Sequence, residues 1–210
     1  MRARNVDGRI RTGRLEGFSD GVYAIAITLL VLEIGVPAGS EEDLIGALLD
    51  EWRSYLAYLV SFATIGASWL AHSAMTQHLE AVDRTLVRLN LLLLLVVAFI
   101  PFPTRLLAEY SGAGDAARVA TTVYGVTLLL SALMTSAVWR WARRAALIDP
   151  SSREDELAYV TERLTPGLAG YVAFIVGGLF APTLAVLGYL AIALFFLIPT
   201  HVFRRRHELG

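Results

Sequence analysis

The chain has 210 residues, 56% of them hydrophobic, and a mean hydropathy of +0.57, which exceeds the ~45–50% apolar share of soluble domains. A formal charge of −1 leaves no basic excess for a nucleic-acid partner to grip. The absence of cysteine excludes disulfides, thiolate metal sites and cysteine nucleophiles. The basic residues are all arginine and alanine is abundant, usage expected of a bacterium with a G+C-rich genome.

A helix that crosses a bilayer needs roughly 20 predominantly apolar residues. In chain order, a basic arm over 1–13 precedes a first run at about Leu15–Val36. Asp20 and the lack of a small-residue cleavage pattern make this run a span rather than a signal peptide. Further runs follow at about Trp52–Met75, Leu86–Ala108 and Ala116–Ala142. The last apolar stretch, about Leu164 to Phe203, is twice the needed length and is interrupted by Gly177-Gly178 and Pro182. A reversal there divides it into helices five and six. Before it, Asp149–Arg163 reads as a loop in which Pro150 is followed by a capping box, Ser152 with Asp155, that looks like the entry of a cytoplasmic helix. The expected fold is all-α: a polytopic membrane protein of six transmembrane helices over 14–203, flanked by the arm and by a basic tail over 204–210.

Arginine placement sets the orientation, because cytoplasmic loops are enriched in basic residues. The arm carries Arg2, Arg4, Arg9, Arg11 and Arg14, and the second-to-third connection carries Arg84 and Arg88. The fourth-to-fifth connection carries Arg140, Arg143, Arg144, Arg153 and Arg163, and the tail carries Arg204, Arg205 and Arg206. Only Arg53, Arg105 and Arg118 are left for the other side, so both termini are expected in the cytoplasm. The opposite face holds Glu33, Glu41, Glu42, Asp43, Asp50 and Glu51 around the first external loop, as a solvated loop or as acids that concentrate cations at a pore mouth.

Polar groups within a membrane are expensive and either face a partner helix or line water, which singles out the first helix. Arg14, Ser19 and Asp20 occupy its cytoplasmic turns, and Trp69, His72 and Asn90 fall at comparable depth on helices two and three. A buried polar brace is one reading; a proton-relay carboxylate at Asp20 is another. Gly13, Gly17 and Gly21 recur at the small-xxx-small spacing, which serves either close helix packing or a wide vestibule. The same face continues upward through Ile25, Thr28, Leu29 and Leu32. Such an apolar stripe is either plain packing or a gate that closes by dewetting, with Thr28 the one mid-membrane hydroxyl on it.

Arg14 with Phe18-Ser19-Asp20 resembles the R-x-x-x-F-S-D signature of the transmembrane protein 175 family of potassium channels. Ala24-Ile25-Ala26-Ile27-Thr28-Leu29-Leu30, the histidine ending helix two, and Asn90 followed by Pro101-Phe102-Pro103-Thr104 also look like family features. The resemblance covers helices one to three; helices four to six match in number and hydropathy. It implies a homotetramer with the first helix lining a central pore, Ile25 at the bottleneck and Thr28, Leu29 and Leu32 in the next layers. Arg14, Phe18, Ser19 and Asp20 would hold that helix, with Trp69, His72 and Asn90 opposite. The implied function is a potassium-permeable cation channel in the plasma membrane. Its partners would be K+ ions, the lipid bilayer and further copies of the chain, and it would have no cofactor, no resident metal and no enzymatic activity. The alternative is a secondary transporter or proton-conducting protein using Asp20.

Thr121-Thr122-Val123-Tyr124-Gly125 has the residues of a carbonyl filter in the wrong order, inside an unbroken apolar run, so it is expected to be helix. His72, His78, His201 and His207 share no ligand spacing with a carboxylate, which argues against a metal centre.

Overall fold

The computed structural model describes residues 12–35, 39–40, 42–112 and 114–198. Most of the arginine-rich arm, the tail with Arg204 to Arg206, His201, His207 and Glu41 lie outside the described residues. The helices are α1 (Thr12–Leu29, continued by a tighter turn over Leu30–Glu33), α2 (Leu44–Asp50), α3 (Trp52–Thr76), α4 (Arg84–Phe99) and α5 (Pro101–Tyr110). They are followed by α6 (Asp115–Arg144), α7 (Glu154–Gly178) and α8 (Pro182–Leu197). Among the described residues, α1 with its tight turn, α3, α4 with α5, and α6 are each long and apolar enough to cross a membrane; α8 is a shorter apolar helix. The chain is thus an all-helical, multi-pass membrane protein.

The third apolar run is one span by hydropathy and two helices by geometry. Pro101 has no N–H to give to the ladder, so α4 stops at Phe99 and a new helix starts with proline in its first turn. The break is bridged by Thr104, whose hydroxyl donates to the Ile100 carbonyl at 2.8 Å. Ser61 of α3 lies 2.7 Å from that hydroxyl and 2.9 Å from the Tyr124 hydroxyl of α6. Three helices are thereby joined through buried hydroxyls that have no water to turn to.

Both arginine-rich connections gather at one end. The Glu80 N–H donates to the Leu147 carbonyl and the Asp149 N–H to the His78 carbonyl, at 3.0 and 2.8 Å. Asp83 accepts from the Leu86 N–H at the start of α4, and the Trp141 indole donates to both of its carboxylate oxygens. The expected capping box is not formed. α7 begins at Glu154 after Arg153, while Ser152 pairs with His78 at 3.2 Å and Asp155 with Arg153. The pairing of two connections takes the capping residue away from the helix it precedes. The arrangement also holds Asp149 and Asp155 below the usual carboxylate range, Asp149 through bonds from Ser151 and Asp155 through Arg153.

Deeper in the bundle, α6, α7 and α8 meet without room to spare. A methyl group at Gly125 would meet the Tyr189 hydroxyl and Ile175, and Tyr189 is fully buried. Overpacking of this kind costs about 1–3 kcal/mol. Gly125→Ala is therefore expected to lower the melting midpoint in detergent, and an unchanged midpoint would show that the helices separate freely there. Thr121 to Gly125 lie within the continuous helix α6, not in an extended loop.

Candidate functional site

The helix α1 has two distinct sides. Leu15, Ser19, Tyr23 and Ala26 are buried, followed by Leu30 in the tight turn, the spacing of one helical face. That face packs on α3 and α4. On the other side Phe18, Ile25, Thr28, Leu29 and Leu32 are exposed, Ile25 at 61% and Leu32 at 73%. Among the described residues, nothing lies within 4 Å of a methyl group placed at Gly13, Gly17 or Gly21. The glycine stripe therefore contacts no other helix among the described residues, and apart from Thr28 the open side is apolar from Ile25 to Leu32.

The buried side is held by a chain of polar contacts. Ser19 donates its hydroxyl to the Leu15 carbonyl at 2.8 Å and accepts from Asn90 Nδ2 at 2.9 Å. Asn90 Oδ1 lies 2.8 Å from His72 Nε2. An amide oxygen only accepts, so the His72 proton sits on Nε2. Ser19, His72 and Asn90 are each at most 1% exposed, so α1, α3 and α4 share one buried hydrogen-bonded unit. One turn away, the Trp69 indole donates to Asp20 Oδ1 at 2.9 Å. Tyr23 extends the contact upward, sharing a 3.0 Å hydrogen bond with Ser68 and placing its ring 5.6 Å from that of His72.

Of the residues singled out in sequence, Ser19, Asp20, Trp69, His72 and Asn90 come together in this way. Arg14 and Phe18 do not join them; both are exposed in the protomer. Tyr23 and Ser68 were missed by the sequence reading. Their signal was available: a tyrosine and a serine inside apolar helices, at the depth of the other polar groups, need partners. Thr28 turns its hydroxyl onto its own backbone, 2.9 Å from the Ala24 and Ile25 carbonyls. The proton is thereby committed to the helix, and a lone pair of the oxygen is left for the open side.

Comparisons with known proteins agree with this architecture. The family model described as endosomal/lysosomal potassium channel TMEM175 matches residues 14–101, the part that carries α1, the brace and the break at Pro101. A protein of Streptomyces collinus named a potassium channel is 43% identical over 189 residues, which cover 86% of this chain and 90% of that one. A protein of Chamaesiphon minutus, also named a potassium channel, is 44% identical over 163 residues, 75% of this chain and 80% of that one. The crystal structure of a lysosomal potassium-selective channel TMEM175 homologue from Chamaesiphon minutus superposes with a TM-score of 0.81 at 38% identity, covering 89% of this chain and 96% of that one. With likeness in sequence along most of both chains, and in the packing of the helices, the chain belongs to the TMEM175 family of membrane ion channels.

Proposed function

We propose that this protein is a potassium-permeable channel in which four copies bring their α1 helices around one water-filled axis. The observation that carries the reading is the division of α1 into a braced polar side and an open apolar side. A helix anchored so firmly presents its other face at a constant angle, and closed rotational symmetry repeats that face around an axis. Ile25 then forms the narrowest ring, with Thr28, Leu29 and Leu32 above it. An apolar ring resists wetting and so controls passage without a separate filter loop, while the outward Thr28 oxygen offers a passing cation an acceptor.

In this reading α7 and α8 complete six spans, and the arginine-rich connections place both termini in the cytoplasm of a cell bounded by the host plasma membrane. Asp20 anchors α1 and carries no proton relay. One of its oxygens is engaged by Trp69, and it lies near the arginine-rich end of α1 instead of at mid-membrane, where transporters place their coupling sites.

Two measurements test the proposal. Purified protein in liposomes should pass K+ passively down a gradient with no coupled solute, and the detergent-corrected mass should equal four chains of 22.9 kDa. A monomeric particle, or vesicles that hold their potassium gradient, would remove the central pathway.

A further inference from the structure

A cavity lies at the end opposite the arginine-rich connections, with no residue of α1 in its wall. It has a volume of about 410 Å³ and is enclosed by the first turns of α3, the α5–α6 turn, the start of α6 and the α7–α8 turn. Its inner wall is apolar, with Leu56, Ala57, Leu107 and Val186 among the lining residues, and its rim carries Arg53 and Arg118 with Trp52 and Phe180. Two of the arginines at this end of the molecule therefore face one apolar cleft.

Arg53 is the informative member. Its guanidinium carbon stands 4.9 Å from the centroid of the Trp52 ring, yet among the described residues none of its ion pairs lies within 4.0 Å, unlike Arg105, Arg118, Arg143 and Arg153. Among the described residues its five donors in a planar fork meet no carboxylate within 4.0 Å, although Glu33, Asp50, Glu51 and Glu109 line the adjoining cavity with it. The α5–α6 turn makes room for them: a methyl group at Gly112 would meet the Arg53 guanidinium carbon at 2.9 Å. Arg118 is tied to Asp115 at 2.8 Å through one nitrogen, which leaves its other donors free to turn to the rim. The wall between the two also holds Ser111 and Thr121, whose buried hydroxyl oxygens have no hydrogen-bond partner among the described residues. Buried hydroxyls in this state cost free energy until something accepts from them, and both residues line the cleft. Unspent guanidinium and hydroxyl donors above an apolar floor, beside the exposed Trp52 and Phe180, residue types enriched at membrane interfaces, fit a particular chemistry.

We infer that this cleft binds a phosphate-bearing anion, held at its rim by Arg53 and Arg118, with the headgroup of an anionic phospholipid in the leaflet at that end as the favoured source. Guanidinium groups recognise phosphate through paired, charge-assisted hydrogen bonds, and the apolar wall below would accommodate the glycerol and the start of an acyl chain. The site shares no residue with the proposed conduction path, so it stands or falls independently of that reading.

Native mass spectrometry of the purified full-length chain tests it, with phosphatidylglycerol, phosphatidylcholine and inorganic phosphate as separate probes and no channel current measured. Phosphatidylglycerol adducts retained in preference to phosphatidylcholine, and weakened about tenfold in Arg53→Gln for the loss of one charge-assisted contact, support a lipid source. Arg105→Gln removes a positive charge at the same end from outside the cleft and should leave the adducts unchanged. Gly112→Ala, which keeps the charge but displaces the guanidinium, should weaken retention as Arg53→Gln does. Retention of inorganic phosphate that competes with lipid and is lost in Arg53→Gln supports the same anion site with a free ion as occupant. Adducts that survive Arg53→Gln unchanged, or that fall equally in Arg105→Gln, overturn the assignment.

Discussion

Ile25→Asn is expected to raise passive potassium flux by about tenfold or more, which corresponds to lowering the barrier by about 1.4 kcal/mol, and to blunt discrimination between potassium and sodium. The argument runs from the open side of α1. Ile25 is the first large apolar side chain above Gly17 and Gly21 on that side, and it is 61% exposed in the protomer. In the proposed ring of four copies the substitution would replace branched hydrocarbon with amides that hold water, removing the dewetting on which an apolar gate depends. Ions then cross with more of their hydration shell, so their size matters less. The measurement is a planar-bilayer or liposome flux with potassium against sodium. Val126→Asn, a comparable change at an exposed position of α6, should leave both quantities as they were. A conductance unaltered by Ile25→Asn would remove α1 from the pathway.

Asn90→Leu should be the most damaging change of similar volume in the protein. It strands the His72 Nε2 proton and takes away the donor to Ser19, both fully enclosed between α1, α3 and α4. Each buried polar group left unmade costs about 1–3 kcal/mol, so a loss of roughly 2–6 kcal/mol is expected and the unfolding midpoint in detergent should fall sharply. His72→Phe combined with Asn90→Leu should recover part of that loss, because removing both partners is gentler than removing one. Were the double variant no better than the single one, the cost would lie in packing and not in the hydrogen bond. Since these residues orient α1, the single variant should also impair potassium flux without altering any residue on the open side.

How much of this was legible beforehand differs from element to element. The runs that became α1, α3 and α6 could be placed within a few residues, because hydropathy over about 20 residues is a property of composition. The reversal near Gly177-Gly178 and Pro182 was equally plain; the structure ends α7 at Gly178 and starts α8 at Pro182. Ser19, Asp20, Trp69, His72 and Asn90 stood out as polar side chains inside apolar helices. Their pairing did not: Ser19 could equally have met Trp69, and Asp20 could have met His72. The division of the third run at Pro101 was carried by a visible proline, yet hydropathy averages across such a break. The capping box failed for a related reason. Its local pattern was correct, but His78, far away in the chain, competed for Ser152. The α2 helix was not anticipated, being too short for a periodic pattern to be read.

The chain by itself determined that it is a membrane protein, where its long apolar helices run, which connections carry the positive charge, and which polar residues would need partners. Each of these follows from the cost of placing a residue in lipid, a quantity that adds up locally along the sequence. Only the tertiary structure decided which side of α1 is braced and which is left open, and that Arg53, with no ion pair within 4.0 Å among the described residues, lines an apolar cleft. Those outcomes depend on how helices distant in sequence rotate against one another, and packing sets that rotation across the whole bundle.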